Sequence, residues 1–232
     1  MYICGVMAIE NIVLNIPHSS KILAFPEKWN GNIDEEISKW TDTATDLLFR
    51  SNDERIAEHV CPFSRFTVDV ERLVNDDLNK EGNGIVYKKF NGKTRELTEL
   101  EETALMSLYH SYIEGLKEKI TGEGTLLIDC HSFPRDLSDI DICIGYNDDW
   151  SKPSEKVLDT IVSHFQGLGY KVGINEPYAN SISPEKEFKY QSVMIEVNKR
   201  VYLNDKDEPD NFMYKYNAVM QNLYKKLFIL KD

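Results

Sequence analysis

Apolar and polar positions along the chain follow two different periods, which predict strands and helices in alternation. Apolar runs and alternating runs predict six strands, at residues 9–16, 66–70, 126–131, 140–144, 170–172 and 192–197. Spacings of three and four residues predict four helices, at residues 33–48, behind Thr98, at 154–165 and at 212–230. Residues 75–92, with Asn-Gly at two places, predict a hairpin or a protruding loop. Strands alternating with helices indicate an α/β protein with three layers, α/β/α.

Polar side chains stand where four of the predicted strands end. Pro17 stops the first strand and leaves His18 at its carboxyl edge, and Arg72 follows the second. The buried third strand ends in His131, and Glu196 lies near the end of the last one. In open α/β sheets, ligands bind outside the carboxyl ends of the strands, so neighbouring strands would bring these four residues together.

This set of side chains has a definite chemistry. Two histidines and a carboxylate form a catalytic zinc site that leaves one position open for water. A further carboxylate can take the proton of that water, and an arginine can hold an anionic substrate. The alternatives are structural histidines and ordinary surface arginines. Glu196 is harder to explain structurally, because a glutamate in an apolar strand costs several kcal/mol of desolvation unless it is paired.

Composition narrows the class of protein. With 232 residues, of which 41% are hydrophobic and 28% charged, the chain can build a sizeable core, and we expect a single domain over residues 1–232. A net charge of −12 argues against nucleic acid or an anionic membrane as partner. No apolar run is long enough for a membrane span, residues 1–16 lack the features of a signal peptide, and four scattered cysteines suggest no disulfide framework. We expect a soluble cytoplasmic protein.

Several common motifs are absent from the sequence. There is no HExxH, no GxGxxG, no P-loop and no G-x-S-x-G elbow. Their absence argues against nucleotide binding and serine hydrolysis. The residues by themselves therefore indicate an α/β protein with a possible metal site.

Five short motifs, taken in order, resemble one known family. They are PHSS from Pro17, SR followed by DVER from Ser64 to Arg72, IDCHS from Ile128, DICIG from Asp141 and IEVNKR from Ile195. In this order they are similar to the N-formylglutamate amidohydrolases, and the similarity runs from about His18 to Tyr202. That family is in turn similar to the zinc carboxypeptidases and aspartoacylases. The resemblance implies a mixed central sheet of the phosphorylase/hydrolase-like (zinc-exopeptidase-like) kind.

The resemblance also implies a role for each site residue. Its metal ligands would be His18, Asp42 and His131, with Asp46 as the fallback for Asp42. Glu196 would activate the water, and Arg65 would polarise the scissile carbonyl or support Arg72. The substrate-binding residues would be Arg72, for the substrate carboxylate, together with Tyr178 and Asn198.

Two positions depart from the related patterns. Lys21 stands where the carboxypeptidases place a zinc glutamate, so the third ligand must come from elsewhere. Glu71 stands where asparagine usually precedes the arginine, and it adds a negative charge beside the expected carboxylate pocket.

The implied function is hydrolysis of the linear amide of a small N-acylated acidic amino acid in amino-acid metabolism, with Zn²⁺ as cofactor. N-formyl-L-glutamate, giving formate and glutamate, is the expected substrate. Two alternatives stay open: a zinc peptidase or deacylase with a larger substrate, and a relative that binds a carboxylate without turnover. The sequence leaves the oligomeric state undetermined.

Overall fold

The computed structural model describes residues 8–230. Cys4 and part of the segment considered as a signal peptide lie outside these residues. The strands are β1 (Asn11–Ile16), β2 (Ile56–Val60), β3 (Lys89–Phe90), β4 (Lys93–Thr94), β5 (Thr125–Phe133), β6 (Ile142–Gly145), β7 (Val172–Ile174) and β8 (Gln191–Asn198). The α-helices are α1 (Asp34–Trp40), α2 (Thr45–Leu48), α3 (Leu78–Glu81), α4 (Glu99–Lys119), α5 (Glu155–Gly167), α6 (Lys199–Tyr202) and α7 (Asn211–Phe228).

A central sheet of six strands has the order β2-β1-β5-β8-β6-β7. All neighbours pair in parallel except β6, which is antiparallel to β8, so the sheet is mixed as expected. The remaining strands, β3 and β4, form a small hairpin whose turn, Asn91-Gly92, has positive φ at both residues. The expected α/β fold with a mixed central sheet is confirmed.

Helices cover both faces of the central sheet. Residues of one face, such as Leu14 and Ile128, join the largest core with apolar residues of α5 and α7. Residues of the other face, such as Val13 and Leu127, pack with Leu116 near the end of α4. Because side chains alternate along a strand, polar residues two or four positions from Val13 and Leu127 lie on the same face of the sheet as these two, the face covered by α4. This is the face that carries the candidate site.

The predicted strand at residues 66–70 is wrong. This segment forms turns, in which the Thr67 amide donates to the Ser64 carbonyl and the Asp69 amide donates to the Ile85 carbonyl, both at 2.8 Å. Phe66 is buried in the turns, as are Val68 and Val70, so the alternation reflects burial and not strand pairing. The actual edge strand, β2, was missed because its sequence, IAEHV, lacks a clear alternation.

The predicted helix over residues 33–48 is broken in two. Helix α1 ends at Trp40, and α2 begins only at Thr45. Between them Ala44 adopts a left-handed conformation with φ 60°, which interrupts the helical hydrogen bonds. Asp42 therefore lies in a connecting segment, and it is not one helical turn from Asp46.

None of the described helices is long and apolar enough to cross a bilayer. Cys61, Cys130 and Cys143 are free, buried thiols.

Candidate active site

The parallel strands β1, β5 and β8, together with the link between α1 and α2, bring the four predicted residues of the metal site and its base to one edge of the sheet. His18 follows β1 by two residues, while His131 on β5 lies directly opposite Glu196 on β8. Asp42 is tied to the same edge because its amide donates to the His18 carbonyl at 2.9 Å. All four side chains are buried.

The two histidines turn the same ring atom toward Asp42. Oδ2 of Asp42 is 3.1 Å from Nδ1 of His131 and 3.8 Å from Nδ1 of His18. The ring centroids of the histidines are 5.3 Å apart. One ligand atom from each of the three residues lies within 4.8 Å of the other two, so one small cation could contact all three.

Two aspartates lie within hydrogen-bond distance of Nε2 of the histidines, the ring nitrogen on the side away from Asp42. Nε2 of His18 is 2.9 Å from Oδ1 of Asp69, and Nε2 of His131 is 3.0 Å from Oδ1 of Asp129. A carboxylate on the far nitrogen fixes the orientation of a metal-binding imidazole and raises its basicity. Both rings are thereby held with Nδ1 facing Asp42.

These residues fit a zinc ion in their chemistry. Two imidazole nitrogens and one carboxylate oxygen form a typical set for catalytic zinc, and the aspartates behind the histidines supply the usual support. One contact competes with the metal, because Nη2 of Arg65 is 2.7 Å from Nδ1 of His18. A metal at that nitrogen and this hydrogen bond exclude each other.

A second group of possible ligands lies behind His131. It consists of Glu71, Asp129 and the Nε2 side of His131. Here the amide of Asn15 donates to both carboxylates, at 2.7 and 2.8 Å. The protein itself thus provides hydrogen bonds to these carboxylates, so the first group is the better candidate for a metal.

The surroundings shift the pKa values of the two histidines in opposite directions. For His18, burial and then the Arg65 guanidinium lower the pKa. For His131, burial acts against protonation, but the carboxylates of Asp129, Asp42 and Glu71 outweigh it and raise the pKa well above the usual value. Asp42 is buried as well, yet its contacts with His131 and Arg65 keep its pKa below the usual value.

Glu196 has a carboxylate atom that the protein leaves without a partner. Its Oε2 is buried and has no hydrogen-bond partner among the described residues. Burial raises the pKa of Glu196 to about 8, with Asp42 and Asp129 adding to the rise and His131 and Arg65 opposing it. A carboxyl group with a pKa near the working pH can both accept and return a proton.

Two arginines stand beside the cluster. Arg65 also approaches Asp42, with Nη2 3.6 Å from Oδ1. Arg72 comes from a turn and not from a strand end, and its Nε lies 3.4 Å from Oδ2 of Asp69. Asp69 also contacts His18, so this one carboxylate lies between Arg72 and a candidate metal ligand. The Arg72 side chain remains 31% exposed to solvent.

The other two predicted substrate-binding residues differ in their surroundings. Tyr178 is half-buried and packs edge-on against Phe133, and burial together with the nearby Glu196 raises its pKa. Asn198 is fully buried, and its amide nitrogen donates to backbone carbonyls of residues 135, 138 and 140. The amide of Asn198 is thus engaged in holding that loop, and its contact with substrate stays a prediction.

Comparison with known proteins identifies the family. The sequence model of the N-formylglutamate amidohydrolase family matches residues 10–203. The chain belongs to this family. Membership indicates a hydrolase of the amidohydrolase type that acts on a small amino-acid derivative.

Two solved structures share the fold. One is the crystal structure of N-formylglutamate amidohydrolase from Ralstonia eutropha JMP134, with 19% identity, a TM-score of 0.80, and coverage of 95% of this chain and 93% of that one. The other is a gene product of Agrobacterium tumefaciens, with 16% identity, a TM-score of 0.64, and coverage of 95% and 92%. A comparison with curated proteins gave no match.

Sequence reasoning gave no role to several residues that shape the site. Asp69 and Asp129 orient the histidines, and the buried Asn15 amide links Asp129 to Glu71. One signal was present in the sequence, because Asp129 and His131 are two residues apart on a strand and so face the same side. For Asp69 no such signal exists, since the turns around it are irregular.

Proposed function

We propose that this chain is a zinc-dependent amidohydrolase that hydrolyses N-formyl-L-glutamate to formate and glutamate. The observation that carries the proposal is the buried cluster of His18, Asp42 and His131, with the unpartnered carboxylate of Glu196 beside it. Family membership supports the reaction type.

In this proposal His18, Asp42 and His131 hold the metal. A zinc ion bound there would supply a Lewis acid and lower the pKa of a bound water. Asp69 and Asp129, on Nε2 of the two histidines, keep Nδ1 of both imidazoles directed toward Asp42.

Glu196 is the general base and acid. It takes a proton from the attacking water, whose oxygen forms a bond to the acyl carbon. It then returns that proton to the amide nitrogen as the C–N bond breaks, so that formate and a free amine leave. In the metal-free protein, burial raises the pKa of Glu196 to about 8, which favours the protonated form that returns the proton to the amide nitrogen.

The arginines bind the negative charges of substrate and transition state. Arg72 presents a planar fork that matches a carboxylate in two hydrogen bonds, and Asp69 holds it near the metal ligands. Arg65 lies beside Asp42, and a metal on Nδ1 of His18 would displace its hydrogen bond to that nitrogen. The guanidinium would then be free to stabilise the charge that develops on the acyl oxygen.

The test combines a metal analysis with a turnover assay on protein purified without a metal-affinity tag. We expect about one zinc per chain, the stoichiometry of a single catalytic site, and release of formate from N-formylglutamate. Activity that survives complete removal of metal would contradict the zinc requirement. A zinc-bound protein that leaves N-formylglutamate intact but cleaves acylated peptides would favour a larger substrate, and one that cleaves neither would favour a binding protein.

A further inference from the structure

The short helix α6 holds the chain on both sides of Asp42. Nζ of Lys199 donates to the carbonyl of Lys39 at 2.9 Å, and the hydroxyl of Tyr202 donates to the carbonyl of Thr43 at 2.7 Å. Both donors are buried, with Lys199 2% exposed and Tyr202 fully covered. The two accepting carbonyls thus flank Asp42, three residues before it and one residue after it.

Lys39 lies in the last turn of α1, whereas Asp42 and Thr43 belong to the link between α1 and α2. It runs from the end of α1 to the start of α2, and Ala44 within it has φ 60°. A left-handed conformation is unfavourable for a residue other than glycine and persists only where the surroundings enforce it. The conformation of Ala44 turns the chain two residues after Asp42, the residue that must face two histidines.

Lys199 is an unusual choice for this task. Its ammonium group is buried, and none of the described carboxylates forms an ion pair with it. Burying a charge without such a partner is costly, and the cost is visible as a lowered pKa that attraction by Asp42 only partly offsets.

We infer that Lys199 and Tyr202 are positioning residues that hold Asp42 in the geometry for metal binding. Asp42 is the ligand that does not come from a strand end, so the sheet alone does not fix it. Helix α6 follows directly from β8, the strand of Glu196. The same rigid strand therefore positions the base and, through α6, the third ligand. The inference rests on the proposed zinc site.

The experiment uses two variants, each with a matched control. Tyr202→Phe removes one hydroxyl, and Tyr224→Phe is its control, because the buried Tyr224 hydroxyl also donates to a backbone carbonyl, that of Phe49, at 2.9 Å. Lys199→Met removes the ammonium, and its control is Lys186→Met, since Nζ of Lys186 likewise donates to the Lys117 carbonyl at 3.0 Å.

Two quantities are measured for each protein, the zinc affinity by competition with a chelating dye and the amide hydrogen exchange of residues 41–44. We expect Tyr202→Phe and Lys199→Met each to weaken zinc binding by about tenfold, the effect of losing one such hydrogen bond. Exchange at residues 41–44 should become faster in both. The two controls should change neither quantity, and circular dichroism establishes that each variant is folded.

The outcomes separate this inference from the proposed function. Wild-type protein that binds zinc, with unchanged affinity in the folded variants, would overturn the positioning role alone. An equal loss of affinity in the controls would also overturn it, because the effect would then be general. Wild-type protein that retains no zinc would overturn the proposed function and this inference together. If Lys199→Met does not fold, Tyr202→Phe decides the question.

Discussion

At the scale of residues, the partly buried Glu71 and the buried Glu196 have similarly raised pKa values and differ in their contacts. Burial raises the pKa of both Glu71 and Glu196 to about 8. Oε1 of Glu71 accepts a hydrogen bond from Asn15 at 2.7 Å, whereas Oε2 of Glu196 has no partner within residues 8–230. A general base needs a free lone pair at the reacting water, so the contacts and not the pKa distinguish the two.

This difference gives a matched pair of variants. Glu196→Gln should retain zinc and lose on the order of 10²-fold or more in kcat, the usual contribution of a general base. Glu71→Gln keeps the acceptor for Asn15 and should lose far less. Steady-state kinetics with metal analysis on both variants provides the check. Normal turnover of Glu196→Gln would refute its role, and loss of zinc from that variant would make it a ligand.

In the proposed function, Arg72 is the residue that recognises the substrate carboxylate. Replacing it with methionine should lower kcat/KM by roughly ten- to a few-hundred-fold, because a charge-assisted hydrogen bond contributes about 1.5–3 kcal/mol. The measurement compares N-formylglutamate with its α-carboxamide analogue. Wild type should prefer the acid, and Arg72→Met should lose most of that preference with unchanged zinc content. A preference that survives would assign the carboxylate to Arg65 or Arg200.

The limits of sequence reasoning are also visible residue by residue. His18, His131 and Glu196 were found because each follows or ends an apolar strand, and the parallel order of β1, β5 and β8 brings them together. Asp42 was named only through the family resemblance. Its position depends on a break between two helices, and the apolar spacing continues across that break without any sign of it.

At the scale of elements, a helix-capping pattern predicted its helix correctly. An alternating apolar pattern predicted a strand where the chain forms buried turns. The helix predicted behind Thr98 is present as α4, and it begins with a capping box in which Thr98 and Glu101 satisfy each other's backbone amides. The segment at residues 66–70 has strand-like alternation but forms turns. Its apolar side chains are buried in two clusters, Phe66 with Tyr87, and Val68 and Val70 with Ile85 and α4, without pairing to another strand. Pairing depends on partners distant in sequence, which a local pattern does not record.

The start of α4 carries a prediction about pH. The Lys28 ammonium, 2.8 Å from Glu101, and the Thr98 amide lower the pKa of Glu101 from 4.5 to about 2. A lowered pKa in the folded state means that the ionised form adds stability above pH 4.5, and that this gain is lost as the pH falls to about 2. Glu101→Gln should therefore lower the melting temperature at pH 7, and the difference from wild type should shrink with acidification.

Thermal unfolding at pH 7, 4.5 and 3 measures this difference. The control is Glu114→Gln on the same helix, whose partner Lys117 is the residue one turn later and whose side chain is 66% exposed. Such an exposed pair adds little stability, so this variant should match wild type at every pH. A pH-independent deficit in Glu101→Gln would attribute the loss to the cap geometry and not to the charge.

At the scale of the whole molecule, the candidate metal site exists only when the chain is folded. Its ligands His18, Asp42 and His131 come from the end of β1, the link between α1 and α2, and the interior of β5. They are separated by 24 and 89 residues, and the sheet is what closes these distances. A ligand that binds the folded state alone stabilises it by mass action.

Zinc should therefore raise the melting temperature of metal-depleted protein. Free zinc at a hundred times its dissociation constant adds about 2.7 kcal/mol, which for a chain of this size corresponds to roughly 5–11 °C. Differential scanning fluorimetry against zinc concentration measures the shift. Asp42→Asn and His131→Ala should lose most of it, since each removes one of three ligands, whereas Asp46→Asn should keep it, because Asp46 lies on α2 outside the cluster. A full shift in His131→Ala would place the stabilising zinc elsewhere on this acidic chain, and loss of the shift in Asp46→Asn would make Asp46 the third ligand.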